Sequence, residues 1–63
     1  MPGSENLTRV MFHFVYVLEG KDSHLYIGVT HDLDKRLKEH NLGQNFSTKP
    51  FRPWEIIHYE CIP

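Results

Sequence analysis

The sequence has a single cysteine, Cys61, among 63 residues. No intrachain disulfide can form, and a zinc site built on paired cysteines is excluded. A core of this size supplies only about 3–5 kcal/mol of net stability, and small chains usually add disulfides, a structural metal or a partner subunit. The first of these is closed to this chain. Cysteine usage fits a reducing compartment, and the expected location is the cytoplasm. Long apolar runs are missing as well. MPGSENLTRV lacks the apolar stretch of a secretory signal, and no run approaches the roughly 20 residues that cross a bilayer, so no membrane partner is expected. A net charge of −1 gives no global attraction to polyanions. Histidine is plentiful, but His13, His24, His31, His40 and His58 never fall at HxxxH or HxH spacing, so no metal ligand set is read from them.

The distribution of charge says more than its sum. Lys35, Arg36, Lys38, Lys49 and Arg52 face Glu39 alone between positions 35 and 52. Such a basic patch points to phosphate, or else to a solvated surface with scattered lysines.

Residues 1–10 carry Pro, Gly, Ser and Asn without periodicity and read as a flexible leader, with Met11 where structure begins. Phe12 to Leu18 (FHFVYVL) is rich in aromatic and β-branched residues and reads as a strand. It is apolar on both faces apart from His13, so it should lie at the centre of a sheet. EGKDSH is turn chemistry, and Leu25 to Val29 (LYIGV) returns as a second, antiparallel strand. Gly28 inside it suggests a bulge or close backbone approach. Thr30 is the expected cap of a helix in which Leu33, Arg36, Leu37 and His40 share one stripe. Asp34 and Lys38 form an i,i+4 pair on the other side, and Gly43 closes the helix in the left-handed region. A polar loop, Gln44 to Pro53, leads to a third strand, Trp54 to Tyr59. The fold class is α+β: a small antiparallel three-stranded sheet in β-β-α-β order with one helix packed on it. One helix covers one face, so the second face needs a further helix or a partner subunit.

Arg36 and His40 stand one turn apart beside the helix stripe that meets the sheet. A buried guanidinium needs a carboxylate, a set of carbonyls or an anion. Asp32, at i−4, offers an internal partner. The alternative is a cleft in which a phosphate takes that place. Tyr16 and Tyr26 sit on neighbouring strands, where a phenol serves either packing or proton transfer.

The segments FVYVL (14–18), LYIGVT (25–30), DLDKRLKEHNLG (32–43), ST (47–48) and RPW (52–54) together resemble the GIY-YIG nuclease superfamily, in particular its small stand-alone bacterial proteins. Phe14-Val15-Tyr16 stands where the first motif has Gly-Ile-Tyr. The resemblance implies catalytic roles for Tyr16, Tyr26, Arg36 and His40, with Arg36 at the scissile phosphate and His40 assisting proton transfer. Gly28 matches the glycine that lets the strand pack closely. Thr48 lies in the loop where members carry a basic-aromatic-threonine run. With Lys35, Lys38, Lys49 and Arg52 it is assigned to nucleic-acid binding.

The implied reaction is hydrolysis of a DNA phosphodiester assisted by Mg²⁺ or another divalent cation. The family's metal-binding glutamate lies on a helix after the third strand, and no ligand for the metal is identified in this chain. Glu60 corresponds to an acidic residue at the end of that strand, not to the ligand. On this reading residues 11–63 form a GIY-YIG domain cut short before the C-terminal helices, with weak or no activity alone. The alternatives are a non-catalytic nucleic-acid-binding module, and a homodimer formed through the uncovered sheet face.

Overall fold

A computed structural model describes residues 12–63, so the expected leader at 1–10 lies outside the described residues. The chain runs through β1 (His13–Glu19), β2 (Leu25–Thr30), α1 (Leu33–Asn41) and β3 (Glu55–Ile62), with short 3-10 turns at Lys21–Ser23 and Lys49–Phe51. The three strands form one antiparallel sheet in the order β2-β1-β3. The expected α+β layout is therefore present, with the most apolar strand in the middle. β3 starts one residue later than its sequence suggests and continues to Ile62, which pairs with His13.

Alternation along β1 divides the sheet. Tyr16 and Leu18 face the helix and are fully buried; with Trp54 they form the core, against which Tyr26, Leu33, Leu37, Phe51 and Ile56 pack. Val15 and Val17 point to the other side, together with their partners Val29 and Ile27 on β2. Ile27 is 68% exposed there, and Leu25, Val29 and Ile62 are also exposed. The second face is thus uncovered among the described residues, apolar over β1 and β2 but carrying His58 and Glu60 on β3. Between Val17 and Leu18 the β1–β3 register shifts, leaving Ile57 as the extra residue of a bulge.

The helix starts and stops by different devices from those expected at one end and as expected at the other. Asp32, not Thr30, is the N-cap: its Oδ1 accepts from the Lys35 N–H at 3.0 Å. Thr30 still belongs to β2, opposite Phe14, and its hydroxyl oxygen accepts instead from the Asp32 N–H at 3.1 Å. At the other end Gly43 adopts φ +80°. Gly43 N–H bonds to His40 C=O at 3.2 Å and Gln44 N–H to Glu39 C=O at 3.1 Å, which is a Schellman closure. The Asp34–Lys38 pair does not form; among the described residues the ion pairs are Arg36–Glu39 and His58–Glu60.

Asn41, the last helical residue, ties α1 to the start of β3. Its amide donates to Trp54 C=O at 3.0 Å and accepts from Trp54 N–H at 2.7 Å. Both backbone groups of Trp54 are thereby satisfied just before the strand ladder begins. The Trp54 indole N–H donates to Thr48 C=O at 2.8 Å, so the loop is pinned to the same residue. No helix among the described residues is long and apolar enough to cross a membrane.

Candidate active site

Helix α1 lays Arg36 and His40 over β1, and Tyr16 rises from β1 between them. Gly28, the β2 partner of Tyr16, makes room for that ring: a methyl group at Gly28 would lie 2.5 Å from Tyr16 Cζ. A single hydrogen-bonded chain results. Arg36 Nε donates to Tyr16 Oη at 3.3 Å, Tyr16 Oη meets His40 Nε2 at 3.2 Å, and His40 Nδ1 meets Thr48 Oγ1 at 2.8 Å. The Tyr26 ring closes one side, with its centroid 4.7 Å from that of His40 and 6.2 Å from that of Tyr16.

Access falls off along this chain. The Arg36 side chain is 33% exposed, whereas Tyr16 is 1%, His40 0% and Thr48 2% exposed. Arg36 does not pair with Asp32, which is occupied as the helix cap; its Nη1 bonds to Glu39 Oε1 at 2.9 Å. That pair is partly solvated and adds little to stability. Its effect is to fix the guanidinium beside Tyr16 and Tyr26, and its five N–H donors exceed these partners. Beside it lies a cleft of about 260 Å³ lined by Thr30, His31, Asp32, Lys35, Arg36 and Glu39.

The buried pair is held neutral at pH 7. Burial pushes the Tyr16 phenol up from its ordinary value, only partly offset by Arg36. Burial also pushes the His40 imidazole down, and the Arg36 charge adds to that, against a smaller opposing effect of Glu39. The hydrogen bonds to Glu39 and Tyr16 push Arg36 further above its ordinary range. The unfolded chain takes up a proton at His40 near pH 6.5, before the folded site does. The stability linked to neutral His40 is therefore complete above about pH 6.5 and is lost as pH falls towards the lower folded value. Urea midpoints measured between pH 7.5 and pH 5 should fall, and His40→Gln should flatten that dependence. An equally steep fall in the variant would remove His40 as the cause.

The remaining sequence-assigned residues divide. Lys35 joins Arg36 at the cleft, and Lys38 is exposed on the helix. Lys49 and Arg52 line a separate groove with Asn41, Pro50 and Pro53. Thr48, assigned to nucleic acid on the resemblance, lies buried under the basic surface against His40. Glu60 pairs in register with Val15, on the sheet face away from Tyr16, and bonds to His58 at 3.2 Å.

Comparison with known proteins decides the family. The family model described as the GIY-YIG catalytic domain matches residues 12–63, nearly the whole of the chain. The chain belongs to the GIY-YIG family. Among curated relatives, a UPF0213 protein of Haloquadratum walsbyi is 39% identical over 52 residues, covering 81% of this chain and 58% of the relative. A UPF0213 protein of Bacillus pumilus is 46% identical over 51 residues, and the UPF0213 protein YazA of Bacillus subtilis 49% identical over 51. Each of these two alignments covers 79% of this chain and 52% of the relative. The chain thus spans little more than half the length of the curated relatives it matches. No solved structure matches the chain significantly.

The GIY-YIG family is generally metal-dependent, and a metal would need several convergent side-chain ligands. Among the described residues no three His, Cys, Asp or Glu side chains converge. The carboxylates nearest Arg36 are committed, Glu39 to its ion pair and Asp32 to the helix cap. These residues do not make a GIY-YIG metal site, and no step is derived through one.

Sequence reasoning missed two site-building residues. Glu39 belongs to the site as the partner of Arg36, and its i,i+3 spacing is the signal for it. The clamp of Asn41 on Trp54 is long-range and has no local signature.

Proposed function

We propose that this domain hydrolyses phosphodiester bonds of DNA, with the scissile phosphate seated in the cleft beside Arg36. The observation that carries this reading is the position of Arg36, a half-buried guanidinium fixed by Tyr16 and Glu39 with donors left for an anion. A phosphate there meets a preorganised charge, which is the kind of group that stabilises a developing negative oxygen. Lys35 stands on the same cleft, and Lys38, Lys49 and Arg52 extend the positive surface along a bound strand.

Tyr16 and His40 supply the proton path. Because burial disfavours both phenolate and imidazolium, neither group ionises alone at neutral pH. A water proton moves to Tyr16 Oη as the phenol's own proton moves to His40 Nε2, so Tyr16 stays neutral while His40 becomes imidazolium. Thr48 takes its place here as a support for His40 rather than a nucleic-acid contact.

A second reading is favoured by the committed state of Asp32 and Glu39: a domain that binds nucleic acid without cutting it. Incubating the protein with linear, branched and single-stranded DNA, with Mg²⁺ or Mn²⁺ and with chelator, separates the two. Cleavage, weak in this chain alone, is the result expected of the first reading, and comparing the cation and chelator arms shows whether it needs a metal. Binding whose log K falls with log salt at roughly 0.9 per phosphate contact, without any cleavage, selects the second reading. Neither cleavage nor salt-dependent binding defeats both.

A further inference from the structure

The donors and acceptors around His40 leave one consistent arrangement of protons. Arg36 Nε has no acceptor capacity, so it must donate to Tyr16 Oη. Tyr16 carries one hydroxyl proton, and the acceptor within reach of this buried oxygen is His40 Nε2. His40 Nε2 is therefore bare. A neutral imidazole then carries its proton on Nδ1, which donates to Thr48 Oγ1. The Thr48 hydroxyl proton has the Asn45 carbonyl within reach at 3.4 Å, a weak third contact on an oxygen that already accepts from the Thr48 and Lys49 N–H groups. In the opposite tautomer, Tyr16 Oη would receive from both Arg36 and His40, and its own proton would be buried without an acceptor among the described residues.

We propose that Thr48 is a positioning residue that, with Arg36, locks His40 as the Nδ1–H tautomer and so keeps Nε2 free to receive the Tyr16 proton. The pair acts from opposite ends of one relay. Arg36 fixes the direction of the phenol proton, and Thr48 offers Nδ1–H an acceptor whose own proton has a backbone carbonyl within reach. The loop conformation makes Thr48 available: Thr48 N–H and Lys49 N–H both bond to Asn45 C=O, and the Trp54 indole holds Thr48 C=O. The neutrality that burial imposes on His40 supports the same arrangement, since only a neutral ring has a tautomer to select. This inference deepens the nuclease reading and rests on it only for its catalytic consequence.

The test reads tautomers directly. The protein labelled with ¹⁵N-histidine, examined at neutral pH by long-range ¹H–¹⁵N correlation, should show His40 protonated at Nδ1 and bare at Nε2; the signal is assigned by its loss in His40→Gln. Thr48→Val should shift His40 towards the Nε2–H form, and Thr48→Ser should restore the parent pattern. If cleavage is observed, Thr48→Val should lose about 10²-fold or more in rate, as for a lost general base, with Thr48→Ser largely active. An Nε2–H tautomer in the parent protein overturns the proposal, whether or not the variants fold. So does a folded Thr48→Val with an unchanged Nδ1–H tautomer. A protein that shows the Nδ1–H pattern and its loss in Thr48→Val but cuts no DNA leaves the proton lock standing and defeats only the nuclease reading.

Discussion

Arg36→Ala should lower the rate of DNA cleavage by about 10²–10³, the usual cost of removing one preorganised charge-stabilising donor. That corresponds to about 2.7–4 kcal/mol of transition-state stabilisation. The loss should fall on kcat more than on DNA affinity, because Arg36 is one cation among several on that surface while it alone is fixed at the cleft by Tyr16 and Glu39. Lys35→Ala is the informative control: it removes a charge from the same cleft and should weaken binding and its salt dependence while changing the bound rate little. Arg36→Lys should rescue poorly, since one ammonium cannot hold Tyr16, Glu39 and a phosphate with planar fork geometry. Arg36 also holds the hydroxyl of the buried Tyr16, so each variant needs a thermal melt beside its rate. A folded Arg36→Ala that cuts as fast as the parent would sink the proposed role.

Gly28→Ala should be among the most destabilising single substitutions in the chain. The added methyl would stand 2.5 Å from Tyr16 Cζ and 3.0 Å from Tyr16 Cε2. Tyr16 has nowhere to retreat: its ring is buried and its hydroxyl is held by Arg36 and His40. Overpacking of a fixed core typically costs about 1–3 kcal/mol or more. A chain of this size holds only about 3–5 kcal/mol in total. Urea titration of Gly28→Ala should therefore show a greatly reduced midpoint or no folded baseline. Removing the obstacle changes the sign of the argument: in a Tyr16→Leu background the same Gly28→Ala substitution should cost much less. Equal penalties in both backgrounds would mean that the clash with Tyr16 is not the cause.

These two residues also show what the sequence made legible and what it did not. Gly28 stood out because a glycine inside an apolar strand needs a reason, and pairing across from Tyr16 supplies it. Arg36 stood out because a cation among buried positions needs a partner. Which partner was not legible, since Asp32 at i−4 and Glu39 at i+3 are equally good by spacing. The choice was made one step earlier, by the helix start: Thr30 remains in the strand ladder, Asp32 must cap, and Glu39 is left for Arg36. Strands and helix were readable from alternation and from the 3.6-residue stripe because both are local signals. The Asn41–Trp54 clamp and the burial of Thr48 come from a loop folding back on the helix, and residue type alone does not carry that. Only the resemblance to GIY-YIG proteins marked the loop as belonging to the site, and the burial of Thr48 against His40 was not part of that signal.

The strand order has a consequence for how the chain is made. β1 emerges first and pairs at once with β2, its neighbour across a short turn, but its other edge waits for β3. Glu19 must find Glu55, and His13 must find Ile62, across most of the described chain. A two-stranded hairpin is marginal in water, so the early product has little stability of its own. Contacts so distant in sequence slow the search, and until it ends β1 presents an unpaired apolar edge to every other nascent chain. Synthesis therefore has a vulnerable interval that lasts until β3 is free to pair, and conditions that lengthen it favour aggregation over folding. Of the three described strands, the one made first stays incomplete until the one made last is free to pair.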